Sequence, residues 1–466
     1  MTAGVKTAGV RSQESGVRTT GVGSQETGVR KTAPRRGSLG RAIAAVIGLI
    51  ILAGCGGGSS TPTPTPTPTP VANTVTVTVS SGPANNALNF AYVSVQVCNP
   101  GSTTSCATIP NVQVDTGSSG LRILASAPGV SSLTLNPVTG AGVPVNECTQ
   151  FADGSYLWGP VVQADVTMAG ETAASLPIQI IDSGTAAPLG VPSTCIAGGG
   201  NNLGTSTALQ ANGILGIGTS IQDCGSACAS TSSVPAIYWL CPTGGCSTAS
   251  VPLATQVSNP VSFFNSDNNG VILTMNPVAA AGAATASGTL TFGIGTQTDN
   301  ALSSSAKVFA LSGNSVGGQL YYTILATYNS GTYPAFVDTA QSYNGFLDPT
   351  TVAAAPAGAG ITNCPLHNGL YCTSSAVSLP FTAKDSGTDS ATVTLSIGDA
   401  TTLYNSSVLG GGSNAAFSNL AGEAIIGVSD YVDLGMPFFY GKTVYVGISG
   451  KVAPTGVNAP LGYWAF

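Results

Sequence analysis

Charge is what this 466-residue chain has least of. Asp, Glu, Lys and Arg together make up 7% of it, against about 25% in an average soluble protein. That excludes a charged coiled coil and a basic nucleic-acid binder. Histidine occurs once, at His367. A His-rich metal site is therefore excluded, and a Ser–His–Asp triad would have to use that one residue. Helical periodicity is scarce, with short candidates over 348–355 and 429–438. Parallel βαβ architecture lacks the helices it needs. The apolar run Ala42 to Ala53 is too short to span a bilayer comfortably.

Gly, Ser, Thr, Ala and Val fill much of the chain instead. Short runs rich in Val, Thr, Ile or Tyr recur, with Gly, Asn or Pro close by. They predict strands over 74–79, 91–97, 113–114, 161–168, 178–181, 271–275, 288–292, 320–328, 391–397 and 443–448. Gly- and Ser-rich stretches at 198–205, 279–287 and 410–414 read as loops. An all-β, exported protein is the expectation.

The N-terminus reads as an address. Eight of the 13 basic residues precede residue 55, the apolar run follows them, and it ends Leu52-Ala53-Gly54-Cys55. Basic, apolar, small is the order of a secretory signal. Its end resembles a bacterial lipobox, which implies acylation of Cys55 and an anchor in the cell envelope, facing the periplasm or the exterior. Imperfect repeats within residues 1–30 (TAGVK, TAGVR, ESGVR, ETGVR) receive no function. Residues 55–70 carry GGGSS and five Thr-Pro pairs, an extended tether that cannot pack. The expected organisation is a signal over 1–54, a lipidated tether over 55–70 and a folded body from 71.

Setting Cys55 aside leaves ten cysteines: Cys98, Cys106, Cys148, Cys195, Cys224, Cys228, Cys241, Cys246, Cys364 and Cys372. An even count in an exported chain predicts five disulfides. Cys98–Cys106, Cys364–Cys372 and Cys148–Cys195 are the natural pairs. Cys224, Cys228, Cys241 and Cys246 make two more, or else hold a zinc ion. From residue 55 onward the chain has 5 basic and 17 acidic residues, a net charge of −12. Such a body repels nucleic acid and anionic lipid.

Two segments carry the chemistry. Val112-Gln113-Val114-Asp115-Thr116-Gly117-Ser118-Ser119 and Ala335-Phe336-Val337-Asp338-Thr339-Ala340-Gln341-Ser342 each run an apolar strand into Asp-Thr and a small residue. Such a turn presents a carboxylate with backbone N–H groups aimed at it. Two carboxylates brought together cannot both ionise, so one would serve as general base and the other as general acid. Ile214-Leu215-Gly216 follows the first motif, and Ile425-Ile426-Gly427 follows the second. The repeated order is the trace of two similar lobes.

These motifs resemble the pepsin-like aspartic peptidases, over most of 71–466. The second resemblance is to a bacterial lipoprotein family of unknown function that shares the pattern. The first implies an all-β, bilobal fold with a central cleft, an N-terminal lobe over 71–305 and a C-terminal lobe over 306–466. It implies Asp115 and Asp338 as the catalytic dyad, braced by Thr116, Gly117, Ser118, Thr339 and Ala340. Phe151, Asp153, Gly154, Ser155 and Tyr156 would form the flap over substrate. Gly288 to Gly293 resembles the strand that closes the first lobe, and Phe438 to Ile448 the C-terminal strand pair. No cofactor and no metal are implied, and a monomer is expected.

The sequence departs from the family at several places. Ala340 stands where the family has Gly, and a positive φ there would be costly. Gln341 replaces a small hydroxyl residue. Phe151 falls at the flap's usual Tyr, with Tyr156 nearby. Arg122 sits where a Trp often backs the flap; it either pairs with an acid, a dyad carboxyl or an acidic substrate group, or lies on the surface. Tyr238-Trp239-Leu240 and His367 read as packed-loop and surface-loop residues. The chain is expected to be a membrane-tethered aspartic endopeptidase acting on polypeptide. The alternative is a peptide- or glycan-binding lipoprotein that kept the cleft without the chemistry.

Overall fold

The computed structural model describes residues 72–181, 190–232, 234–316, 319–424 and 430–466. The signal, Cys55, the Thr-Pro tether and Ile425-Ile426-Gly427 lie outside the described residues.

Strands form over the runs that alternation and β-branching predict, and over others that they did not mark, among them Ser119–Leu124, Val143–Gln150 and Val377–Lys384. In Thr74–Ser80 the Val side chains at 77 and 79 are buried while Thr74 and Thr78 face solvent, the period of a sheet with one wet face. This strand pairs antiparallel with both Phe90–Cys98 and Ala286–Phe292. The strand Gly213–Ile217 differs: all five residues are buried. It lies between Cys106–Asp115, to which it is parallel, and Ser119–Leu124, to which it is antiparallel. Neighbours on both edges and packing on both faces explain its unbroken apolar run.

The second half repeats this arrangement. Gly331–Val337 pairs parallel with Val432–Leu434, which also meets Asn344–Phe346 in antiparallel contact at Gly345 and Asp433. The fold is the bilobal pepsin-like one: each half carries a strand that runs into an Asp-Thr turn, backed by a parallel strand from about 100 residues further on. The chain does not divide cleanly near 305/306. Thr443–Gly447 and Tyr463–Ala465 return to the sheet of the first half, pairing with Gly270–Met275 and Val308–Ala310.

Two helix expectations part ways. Pro349–Ala353 is helical, capped by the Asp348 carboxylate, which accepts from the Thr350 and Thr351 N–H groups, with Pro at the first position. The helix expected over 429–438 is corrected. Its described part holds the strand Val432–Leu434 and one helical turn, Met436–Phe439. The ladder to Ala335–Val337 takes the backbone groups that a helix would need.

All five disulfides form. Cys98–Cys106, Cys148–Cys195 and Cys364–Cys372 pair as expected, and the cluster resolves into Cys224–Cys228 and Cys241–Cys246. Disulfide bonding removes the thiolates that the zinc alternative required.

Candidate active site

Asp115 ends its strand fully buried, and the chain turns back over it. The Gly117 and Ser118 N–H groups donate to its Oδ1 at 2.8 and 3.0 Å, and the Ser118 hydroxyl donates to Oδ2 at 2.5 Å. Burial pushes this carboxyl up to about 6. The hydrogen bonds from Ser118 and Gly117, and the charge of Arg122, hold it down against that push.

Asp338 directly follows the matching strand of the other half, Gly331–Val337, and is also buried. Its N–H donates to Leu434 O at 2.9 Å, and its Oδ1 accepts the Ala340 N–H at 2.8 Å. The two loops are locked by their threonines. Thr116 Oγ1 donates to Val337 O at 2.8 Å and accepts the Thr339 N–H at 3.0 Å. Thr339 Oγ1 donates to Val114 O at 2.7 Å and accepts the Thr116 N–H at 3.1 Å. This reciprocal brace brings the Asp338 carboxyl over the first loop: a Cβ built on Gly117 would stand 2.4 Å from the Asp338 carboxyl carbon. Both carboxyls therefore border the Gly117 backbone.

The segment backing the second loop is Val432-Asp433-Leu434-Gly435, not the expected Ile425-Ile426-Gly427. Gly216 follows Asp115 by 101 residues, and Gly435 follows Asp338 by 97, whereas Gly427 follows it by 89. Each backing glycine permits a close approach: a Cβ at Gly216 would meet Ser119 and Gly120 backbone atoms within 2.8 Å, and one at Gly435 would meet Tyr343 O at 2.1 Å. The sequence signal was obscured by Asp433, a buried acid inside what is an apolar segment in the first half.

Two departures resolve. Ala340 is absent from the positive-φ residues, so the strain expected of it does not arise; its methyl is simply buried. The Tyr343 hydroxyl donates to Glu423 O at 3.1 Å, and Gln341 is buried. Its backbone carbonyl accepts the Met436 N–H at 2.8 Å.

Arg122 is not a surface residue. Its side chain has no exposed area, and it pairs with Glu147 at 2.5 Å and Asp223 at 3.1 Å. Sequence reasoning missed both acids, because 25 and 101 residues separate them from Arg122. The His367 ring packs at a tilt against Tyr404, centroids 4.2 Å apart.

The expected flap is a hairpin tip between Val143–Gln150 and Tyr156–Met168. Phe151 N–H donates to Ser155 O, and the Asp153 carboxylate accepts both the Ser155 N–H (2.9 Å) and its hydroxyl (2.5 Å). Gly154 takes φ +78° and packs directly on the 198–200 backbone. Phe151 is buried in the main core, and Tyr156 packs with Cys148, Trp158, Cys195 and Trp239. A cavity of about 60 Å³ adjoins the first loop. It is lined by Thr116 to Ser119, Gly218 to Ser220 and four aromatic residues, Tyr321, Tyr322, Phe336 and Trp464. None of the flap residues lines it, and neither does any charged side chain. The aromatic lining was not foreseen, since its members come from three strands of both sheets.

Residues 69–466 match the model of a family described as "Protein of unknown function (DUF3443)", and the chain belongs to that family. No curated protein matches it. Among solved structures it is similar to the aspartic proteinase from Irpex lacteus, at 15% identity, over 84% of this chain and 96% of that one, with a TM-score of 0.45.

Proposed function

We propose that this protein is an aspartic endopeptidase, tethered to a membrane through lipid on Cys55, that hydrolyses peptide bonds with a water held between Asp115 and Asp338. The observation that carries this reading is the convergence of both carboxyls on Gly117 under the reciprocal threonine brace. A pair that shares one proton has a base to take a proton from water and an acid to protonate the carbonyl oxygen. No covalent intermediate forms; water attacks the amide carbon, and the pair returns the proton to the leaving amine. The proton shared by the pair is lost as Asp115 ionises through about 6, so the pair is competent on the acid side. The uncharged aromatic cavity suits an apolar substrate side chain next to the scissile bond.

The test is cleavage of denatured protein by the purified chain across pH. Acid-side activity that falls above about pH 6, following Asp115, and that is abolished by Asp115→Asn or Asp338→Asn, supports the reading. No cleavage at any pH, with both variants indistinguishable from wild type, overturns it. Gln341, which stands where a small hydroxyl residue is expected, favours the second reading, a peptide- or glycan-binding lipoprotein. That reading expects binding without turnover, unaffected by Asp115→Asn.

A further inference from the structure

Behind the candidate active site lies a second set of buried ionisable groups that the chemistry above does not use. Arg122 Nη1 donates to Ser119 O at 2.9 Å, directly after the serine that holds Asp115. Its Nε and Nη2 converge on Glu147 Oε1 at 3.2 and 2.5 Å, and Nε also reaches Thr149 Oγ1 at 3.0 Å. Nη2 continues to Asp223 Oδ2 at 3.1 Å. One guanidinium thus ties three segments together: the strand that enters the flap hairpin, the loop at 223, and the loop that carries Asp115.

The charges do not balance. One cation faces two carboxyls, all three groups fully buried. The groups packed around them are neutral. The Tyr238 hydroxyl donates to Asp223 Oδ1 at 2.6 Å, and burial keeps that phenol protonated. The Thr149 hydroxyl donates to Glu147, and Gln179 donates to the Glu147 main chain. Asp115 lies beyond Ser119. Two ionised carboxyls would leave an uncompensated buried negative charge, which is strongly destabilising; one proton removes it.

We infer that Arg122, with one proton held by the Glu147–Asp223 pair, forms a neutral joint that fixes the flap hairpin against the Asp115 loop, and that Arg122 is a positioning residue for that carboxyl. Burial and the nearby Glu147 push Asp223 well above the usual carboxylate range, consistent with Asp223 as the proton's seat. The joint rests on the peptidase reading only for the meaning given to Asp115, so its test needs no turnover.

Hydrogen exchange on the full chain at neutral pH separates the outcomes. Arg122→Met should speed exchange of the 143–156 amides by about 10-fold or more while the Thr116 and Thr339 amides stay protected. Should that variant fail to fold, Arg122→Lys, which keeps the charge without the fork, should show the same loosening. Asp223→Asn replaces a protonated carboxyl by its isostere, so its hairpin should exchange within about 3-fold of wild type. Asp223 has its folded value raised, so wild-type stability contributed there fades as pH rises through it, and Asp223→Asn should lack that alkaline decline. The Asp115 titration, followed by carboxyl-carbon NMR, should move upward in Arg122→Met, because a nearby positive charge is lost. Unchanged hairpin exchange in the Arg122 variants, an unmoved Asp115 midpoint, or an Asp223→Asn hairpin as loose as that of Arg122→Met would each overturn the joint. A wild type that never cleaves, with the joint behaving as described, would remove the peptidase reading alone.

Discussion

Gly117 and Asp338 touch across the two halves of the molecule: the space a Gly117 side chain would need is the space the Asp338 carboxyl occupies. Ala340, the corresponding residue of the second loop, carries its methyl without a positive φ. The two loops are alike in sequence and unequal in the room they leave. Gly117→Ala should therefore destabilise the fold by several kcal/mol, since a contact below 3 Å cannot relax without moving a braced loop, and on the peptidase reading it should abolish cleavage. Ala340→Gly should fold and, on the peptidase reading, leave cleavage unchanged. Thermal melts and the cleavage assay on both variants check the asymmetry.

The threonine brace is reciprocal, so its two halves should not act independently. Thr116→Val and Thr339→Val each remove a hydroxyl and leave a buried N–H and a buried carbonyl unpaired. Each should cost about 1–3 kcal/mol. The double variant should cost less than the sum of the singles, because the same loops are already released. Denaturant melts of the three variants measure the coupling.

Asp115 makes stability depend on pH in a defined direction. Its folded value of about 6 lies above the ordinary carboxylate value of 3.8. A raised value means that its contribution is fully present below the unfolded pKa and is lost as pH rises through about 6. The wild type should lose roughly 3 kcal/mol between about pH 4 and pH 7 from this group, at 1.36 kcal/mol per unit. Asp115→Asn should lack that decline and be the more stable protein at neutral pH. Melting temperatures across pH test it.

Ser118 opposes the effect of burial on Asp115. Ser118→Ala removes the hydroxyl that donates to Oδ2 and should move the Asp115 titration upward. The alkaline limb of any cleavage profile should follow it upward. A profile that keeps its midpoint would detach the limb from Asp115.

The Cys148–Cys195 disulfide spans 47 residues, whereas Cys224–Cys228 spans 4. In the chain-entropy account, the first should contribute about 4 kcal/mol and the second about 2. Cys148→Ser with Cys195→Ser should lower the melting temperature more than the Cys224 and Cys228 pair does. It should also loosen the flap hairpin, whose base the longer bridge staples to residue 195.

Much of this protein was written locally. Alternation of Thr and Val marked many of the strands, cysteine parity marked the five disulfides, and the Asp-Thr repeat marked two halves and both candidate carboxyls. Those features were legible because strand period, pairing chemistry and turn residues act over a few positions. What stayed hidden depends on contacts between distant segments. Val432-Asp433-Leu434-Gly435 took the backing position because its ladder with Ala335–Val337 fits there, although Ile425-Ile426-Gly427 was the better match by composition. Ala340 proved harmless because backbone φ is set by the loop as a whole. Arg122, ambiguous as a lone cation in an acidic chain, became the centre of a buried joint only when folding brought Glu147 and Asp223 to it. Sequence determined which groups could do chemistry; tertiary structure decided which of them meet, since burial and pairing of charge are properties of assembled neighbours.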